Sequence, residues 1–193
     1  MLRLKGVLFD LDGTIVDVPY DWSRIKEKLA TQGKPILHFI HNLKEPKKTE
    51  KLKVLEKYEK EATLQAVLKE GMLEFLDLLK EKGIKKALVT NNSKENVLYI
   101  LNKFKLEFDC LITRESGLWK PSGDPIITAV KELGIKKEEC CVVGDSHFDI
   151  QAAKEAGIRK VFILNDDKER FNLTSVEVFN DVESLKIRIK QLL

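Results

Sequence analysis

Short apolar runs rich in β-branched residues recur along the chain and are separated by longer amphipathic stretches. This alternation is typical of a parallel β-sheet with helices on both faces. The predicted strands are residues 6–10, 86–90, 109–113, 140–144 and 160–164, with a weaker one at 176–179. The predicted helices are residues 72–82, 94–103, 125–133, 150–156 and 182–191. We therefore predict an α/β fold built on a parallel, Rossmann-like sheet.

A Lys- and Glu-rich segment between residues 17 and 70 interrupts this alternation. Its apolar residues recur at helical spacing, and it contains no convincing strand. Proline and glycine favour turns and helix ends. We therefore expect about three helices in this segment, separated at Pro19, at Gly33-Lys34-Pro35 and at Pro46. We therefore predict two domains, a core formed by residues 1–17 and 71–193 and a helical insertion formed by residues 18–70.

Charge and cysteine content narrow the class of protein. The 34 Lys and Arg residues nearly balance the 31 Asp and Glu residues, and a net charge of +3 gives no reason to expect a nucleic-acid partner. Cys140 and Cys141 are neighbours in an apolar run, which is a poor disulfide framework and lacks the spacing of zinc ligands. No stretch has the length of a signal peptide's apolar region or of a membrane span. We expect a reduced, soluble, cytoplasmic protein without a membrane partner.

Polar side chains follow four of the predicted strands. Because the carboxyl ends of parallel strands meet in one crevice, these side chains should share a site although they are far apart in sequence. After the first strand, alternation places both aspartates on the same side as the chain leaves the sheet. In chain order the groups are Asp10 and Asp12, Thr90 and Asn91, Lys120, and Asp145 and Asp149.

A crevice with four carboxylates requires a compensating cation, because like charges in close contact raise each other's pKa. Oxygen ligands that are offered together with a phosphate substrate are the usual setting of Mg²⁺. Lys120, Thr90 and the backbone N–H groups around Asn91 would bind the anionic phosphate oxygens. The pattern therefore predicts a magnesium-dependent phosphoryl-transfer site.

Four segments resemble, in order and spacing, the motifs of the haloacid dehalogenase (HAD) superfamily. They are Asp10-Leu11-Asp12-Gly13-Thr14, Thr90-Asn91, Lys120-Pro121 and Gly144-Asp145-Ser146-x-x-Asp149. The helix at residues 149–157 resembles that of phosphoglycolate-phosphatase-like members, and the insertion lies where their small helical cap lies. The resemblance implies a HAD-like core with a helical cap after the first strand, and a phosphatase that acts on a small phosphorylated metabolite.

The resemblance also implies a role for each aspartate of the first motif. Asp10 would be the nucleophile that forms an aspartyl-phosphate, and Asp12 would protonate the leaving group and later take a proton from water. Asp10, the carbonyl group of Asp12 and Asp145 would hold Mg²⁺, and Asp149 would orient Lys120 or a metal-bound water without binding the metal directly. Thr90, Asn91 and Lys120 would bind the phosphoryl group, with Thr90 and Lys120 contributing to catalysis.

Two departures from the family pattern and several alternatives remain. Asp17-Val18-Pro19 replaces the residues that usually follow the first motif, and the second proline after Lys120 is displaced to Pro125. Neither change alters a predicted catalytic group. A sugar-phosphate mutase of the same superfamily and a non-catalytic regulatory protein on the same fold remain alternatives. The insertion shows no motif that identifies the substrate.

The histidines are interpreted as surface or packing residues. His147 lies between two proposed site aspartates, but Mg²⁺ prefers oxygen ligands. His38 and His41 share one helix face without a third ligand. None of them is therefore assigned to the metal site.

Overall fold

The computed structural model describes residues 3–167, 169–171 and 175–193, and these form an α/β structure. Its strands are β1 (Gly6–Phe9), β2 (Val16–Asp17), β3 (Val67–Leu68), β4 (Lys85–Val89), β5 (Cys110–Ile112), β6 (Cys140–Gly144), β7 (Lys160–Leu164) and β8 (Val176–Phe179). Its helices are α1 (Trp22–Leu29), α2 (Ile36–His41), α3 (Lys47–Thr63), α4 (Met72–Glu81), α5 (Lys94–Phe104), α6 (Asp124–Leu133), α7 (His147–Ala156) and α8 (Val182–Lys190).

A six-stranded sheet with the order β5-β4-β1-β6-β7-β8 organises the structure. Every pair of neighbouring strands in it is parallel. β1 lies in the interior of the sheet, with Gly6 opposite Lys85 of β4 on one side and Cys140 of β6 on the other. The strand that precedes the predicted nucleophile is therefore held from both edges, and the predicted parallel sheet is confirmed.

Helices cover both faces of this sheet. On one face Ile126 and Ala129 of α6 and Ala152 of α7 pack in one buried cluster with Leu8 and Val142. Helices α4 and α8 contact each other and the strands β4, β7 and β8. Because both faces are covered, the central strands read as continuous apolar runs, and all four residues of β1 are buried.

The chain divides into two compact units. The larger comprises Met1–Asp17 and Leu68–Leu193, and the smaller comprises Val18–Val67. In the smaller unit α1 packs against α3, and Pro35 and Pro46 stand at the starts of α2 and α3. Strands β2 and β3 form a separate two-stranded sheet. The absence of strands that was predicted for the insertion is therefore wrong at Val67–Leu68, because two residues are too short a run to show an alternating pattern.

Most core elements lie within two residues of their predicted bounds, and α7 is the main exception. It begins at His147, whereas the sequence predicted a start at Ile150. The reason is a capping box, in which Ser146 and Asp149 satisfy each other's backbone N–H groups at the first turn of the helix. A cap, and not an apolar run, therefore sets the start of α7.

The three cysteines lie in the interior, as the sequence predicts for Cys140 and Cys141 in a buried strand. Cys110, Cys140 and Cys141 are free and buried. Burial raises the pKa of the Cys110 and Cys140 thiols to about 12, which keeps them protonated. In the part of the chain that the structure describes, no helix combines the length and the apolar character needed to cross a membrane.

Candidate active site

A tight turn after β1 presents the two aspartates of the first motif. The backbone N–H of Asp10 donates to the carbonyl oxygen of Val143 at 2.9 Å, so Asp10 is still tied to β6. The chain then reverses, and the N–H of Gly13 donates to the carbonyl oxygen of Val16 at 2.8 Å. Gly13 has a φ of +79°, and a Cβ at this position would lie 2.3 Å from Oδ2 of Asp145. Glycine is therefore required here both by the backbone and by the neighbouring carboxylate.

The Lys120 ammonium group lies between two carboxylates. Its Nζ is 2.8 Å from Oδ1 of Asp10 and 2.5 Å from Oδ1 of Asp149. The side chains of Lys120 and Asp149 are 4% and 1% exposed, whereas that of Asp10 is 12% exposed. Although burial opposes the charge, the adjacent Asp10 and Asp149 carboxylates raise the pKa of Lys120. A fixed positive charge therefore stands directly beside the predicted nucleophile.

Asp149 is held rigidly at the start of α7. Its Oδ2 accepts hydrogen bonds from the Ser146 hydroxyl at 2.7 Å and from the backbone N–H groups of Ser146 and Asp145 at 3.1 and 3.3 Å. Its Oδ1 is the atom that pairs with Lys120. A Cβ on Gly144 would lie 2.3 Å from Cγ of Asp149, so the glycine at the end of β6 makes room for this carboxylate. Asp149 is thus positioned to orient the lysine and not to contact solvent.

Asp10, Asp145 and Asp149 form an acidic cluster whose ligand oxygens lie within 4.8 Å of one another. Burial, opposed by Lys120 and reinforced by nearby aspartates, raises the pKa of Asp10 to about 7. Burial and the Asp10 and Asp149 charges raise the pKa of Asp145 to about 8. Both shifts arise first from burial and then from neighbouring carboxylates, and a divalent cation bound here would favour the ionised forms. Because the ligands are carboxylate oxygens, the cluster fits Mg²⁺.

Asn91 joins the end of β4 to the segment that carries Lys120. Its side-chain amide donates to the carbonyl oxygen of Lys120 at 2.9 Å and accepts from the Lys120 N–H at 2.8 Å. Nε of Arg114 in turn donates to the carbonyl oxygen of Asn91 at 3.1 Å. The Asn91 side chain therefore holds the lysine backbone, and phosphate binding by Asn91 stays a prediction. Thr90 is 3% exposed, and its hydroxyl accepts a hydrogen bond from the Asn92 N–H at 3.1 Å.

Asp12 is positioned by a residue that sequence reasoning did not assign to the site. Nδ2 of Asn92 donates to Oδ2 of Asp12 at 2.9 Å. Ser146 and Asn165 were also missed: Ser146 binds Asp149, and Nδ2 of Asn165 donates to the Asp145 carbonyl oxygen at 3.2 Å. Ser146 had a detectable signal, a capping-box spacing to Asp149. Nothing in the sequence links Asn92 or Asn165 to its partner.

The structure thus brings Asp10, Lys120, Asp145 and Asp149 into one cluster. Asn91 is joined to this cluster through the Lys120 backbone, and Asp12 and Thr90 are both hydrogen-bonded to Asn92. His147 lies on the first turn of α7, but its ring packs on Phe171 with centroids 4.7 Å apart. The arrangement offers a nucleophilic carboxylate, a buried ammonium group and a cation site side by side. Such a set of groups suits the binding and transfer of a phosphoryl group.

Comparison with known proteins agrees with this arrangement. A relative from Caldanaerobacter subterraneus subsp. tengcongensis, named as a PpaX pyrophosphatase, is 33% identical over 84% of this chain and 82% of its own length. A phosphoglycolate phosphatase of Aquifex aeolicus is 28% identical over 83% of this chain and 85% of its own length. The crystal structure of a hydrolase from Pseudomonas syringae covers 97% of this chain and 99% of its own, with a TM-score of 0.80 at 20% identity.

The match at the level of the family covers most of the chain. The family described as haloacid dehalogenase-like hydrolase matches residues 7–163, which include all of the predicted site residues. The relatives named as phosphatases support the predicted class of enzyme. The chain therefore belongs to the haloacid dehalogenase-like hydrolases, and the family that its four motifs predicted is confirmed.

Proposed function

We propose that this protein is a Mg²⁺-dependent phosphatase that hydrolyses a small-molecule phosphate monoester through an aspartyl-phosphate on Asp10. The observation that supports it best is the contact of Lys120 with Asp10 at 2.8 Å, beside the acidic cluster that includes Asp145. The ammonium group can attract the phosphoryl oxygens while the adjacent carboxylate attacks phosphorus. A carboxylate alone would repel a dianionic phosphate. Attack by Asp10 therefore requires a nearby positive charge, which Lys120 provides.

In the first step a carboxylate oxygen of Asp10 attacks phosphorus and the bond from phosphorus to the ester oxygen breaks. Asp12 donates its proton to the departing oxygen, so that a neutral alcohol leaves and Asp12 becomes a carboxylate. Asp10 must be ionised to attack, although burial raises the pKa of its carboxyl group to about 7. Lys120 already opposes this shift, because its charge stabilises the carboxylate.

In the second step Asp12 takes a proton from water, the water oxygen attacks phosphorus, and the bond to Asp10 breaks. Inorganic phosphate leaves, and both aspartates return to their starting forms. Thr90 and Lys120 hold the phosphoryl oxygens in both steps, and Asp149 keeps Lys120 in place through the 2.5 Å contact. The carboxylates of Asp10 and Asp145 and the carbonyl group of Asp12 would hold Mg²⁺. When bound there, the metal ion neutralises charge on the phosphoryl oxygens.

The substrate is proposed only as a class. A small phosphorylated metabolite fits the family, and the names of the two relatives add inorganic pyrophosphate and phosphoglycolate to the compounds worth testing. We propose that the smaller unit, Val18–Val67, acts as a cap that selects among them. The sequence of this unit contains no motif that identifies one of these compounds as the substrate.

The test is a panel of phosphate esters and pyrophosphate, assayed for free phosphate with Mg²⁺ and with chelator. We expect turnover of at least one compound with Mg²⁺ and its loss in chelator. Asp10→Asn should form no phosphoenzyme, as judged by intact mass after acid quench, whereas Asp77→Asn on the exposed surface of α4 should behave like the wild type.

Other outcomes separate the alternatives. Return of the phosphoryl group to a sugar without release of phosphate would indicate a mutase. Inactivity of the wild type towards the whole panel would favour a regulatory protein on the same fold. Full activity in chelator would contradict the magnesium requirement.

A further inference from the structure

Asn92 is fixed in place through each of its polar groups. Its backbone N–H donates to the Thr90 hydroxyl at 3.1 Å, and its carbonyl oxygen accepts from the Arg114 N–H at 3.0 Å. Its side-chain Oδ1 accepts from the Ser93 N–H at 2.8 Å and from Nδ2 of Asn96 at 2.9 Å. The residue is 3% exposed. The Asn92 side chain is therefore held in one orientation at the edge of the candidate site.

The orientation of the Asn92 amide follows from its neighbours. A backbone N–H can only donate, so the atom that faces Ser93 must be the amide oxygen. The amide nitrogen therefore faces Asp12, where it donates to Oδ2 at 2.9 Å. The start of α5 enforces this orientation, because Ser93 is the N-cap of that helix and Asn96 lies in its first turn.

This contact fixes the position of the Asp12 carboxyl group. The Asn92 amide cannot rotate without losing its own bonds to Ser93 and Asn96. The carboxyl group of Asp12 is therefore tied to a rigid donor, and its rotation about the Cβ–Cγ bond is restricted.

We propose that Asn92 is the positioning residue of the acid–base group, holding the Asp12 carboxyl group in the orientation in which it protonates the leaving oxygen and later takes a proton from water. The inference rests on the proposed function. In the first step the O–H bond of Asp12 breaks as the leaving oxygen gains the proton. In the second step the Asp12 carboxylate takes a proton from water as the water oxygen bonds to phosphorus and the bond from phosphorus to Asp10 breaks. Asn92 contacts neither substrate nor metal in this scheme.

The test is Asn92→Asp, which removes the donor towards Asp12 but keeps an oxygen that can accept from Ser93 and Asn96. An aryl phosphate needs little acid help in the first step, whereas an alkyl phosphate needs a proton on its leaving alkoxide. Phosphoenzyme formation in single-turnover experiments should fall about 100-fold for the alkyl ester and less than about threefold for the aryl ester. Phosphoenzyme should also accumulate in the steady state, because the second step always needs the base.

Two further variants keep the result interpretable. Asn102→Asp makes the same chemical change on the exposed side of α5 and should leave both rates unchanged. Asn92→Ser keeps a short hydrogen-bonding side chain that cannot span the distance to Asp12. It should show the same contrast between aryl and alkyl esters if Asn92→Asp does not fold, as judged by thermal denaturation.

Equal losses with the two esters, or no loss, in an active enzyme would overturn this inference and leave the proposed function intact. A wild type that turns over neither ester would overturn the proposed function and this inference with it.

Discussion

At the scale of single residues, the acidic cluster makes the stability of the metal-free protein depend on pH. The folded pKa of Asp145 is raised from 3.8 to about 8, chiefly by burial and then by the charges of Asp10 and Asp149. A group whose folded pKa is raised stabilises the fold most below its unfolded pKa, and this contribution is lost as the pH rises through the folded value. Without metal, the protein should therefore lose stability between about pH 4 and about pH 8.

Replacing Asp145 by Asn should remove part of this pH dependence. In chelator the variant should gain at least about 1 kcal/mol over the wild type at pH 8, which corresponds to about 2–4 °C in Tm for a chain of this size. At pH 4 the two proteins should differ little. Thermal denaturation across this range measures the effect, with Asp77→Asn as an exposed control. A variant that is less stable than the wild type at pH 8 would contradict the interpretation.

The members of this cluster could be predicted from the sequence because each directly follows a strand or belongs to a motif. Lys120 contacts Asp10 and Asp149, and the ligand oxygens of Asp10, Asp145 and Asp149 lie within 4.8 Å of one another. The side chains that orient them could not be predicted in the same way. The contact of Asn92 with Asp12 joins residues 80 positions apart, and it depends on how the end of β4 meets the turn after β1.

At the scale of elements, the first turn of α7 couples helix stability to the site. Ser146 caps the helix, and its hydroxyl also donates to Oδ2 of Asp149 at 2.7 Å. Asp149 in turn orients Lys120. A change at Ser146 should therefore act on stability and on catalysis together, although Ser146 itself contacts no substrate in the proposed mechanism.

Ser146→Ala should lower the free energy of unfolding by about 1 kcal/mol, the usual cost of a lost N-cap. It should also reduce kcat of the folded enzyme by about tenfold, because Asp149 loses one of the bonds that fix it. Asp181→Ala removes the N-cap of α8 and provides the matched control, with a similar loss of stability and unchanged kcat. Denaturant unfolding and steady-state kinetics measure the two effects. Equal kcat losses in both variants would show that the effect is only structural.

The sequence predicts the bounds of an element well where a long apolar run forms it. It predicts them poorly where a helix cap sets the first residue of the element. β6 and β7 have the predicted bounds, because buried parallel strands are unbroken apolar runs. The predicted start of α7 is three residues too late, because a capping box formed by Ser146 and Asp149 sets the true start at His147. Strands β2 and β3, with two residues each, leave no periodic signal.

At the scale of the whole molecule, the chain combines a unit that contains the candidate chemistry with a smaller helical unit. Asp10, Lys120, Asp145 and Asp149 all belong to the larger unit, Met1–Asp17 and Leu68–Leu193. The sequence predicts a core of residues 1–17 and 71–193 and a helical insertion of residues 18–70, and this assignment of domains stays a prediction. The role of the smaller unit in substrate choice stays a prediction.

Replacing Val18–Val67 by a short Gly/Ser linker should separate chemistry from specificity. We expect a folded core that still hydrolyses an aryl phosphate but discriminates less among phosphorylated metabolites, because the groups that touch phosphate remain. The ratio of kcat/KM values across the ester panel, compared with the full chain, measures this. Unchanged discrimination in a folded core would show that the smaller unit does not select the substrate.

The position of β1 in the interior of the sheet also affects how the chain folds during translation. β1 leaves the ribosome before the other strands of its sheet, and its neighbours β4 and β6 end only at Val89 and Gly144. Until they are synthesised, the nascent chain carries an apolar strand with both edges unpaired, and such edges favour aggregation. The long helical segment between β1 and β4 extends this interval. Asp10, the proposed nucleophile, is thus translated well before Lys120, Asp145 and Asp149, and the candidate site can form only after all of them have emerged.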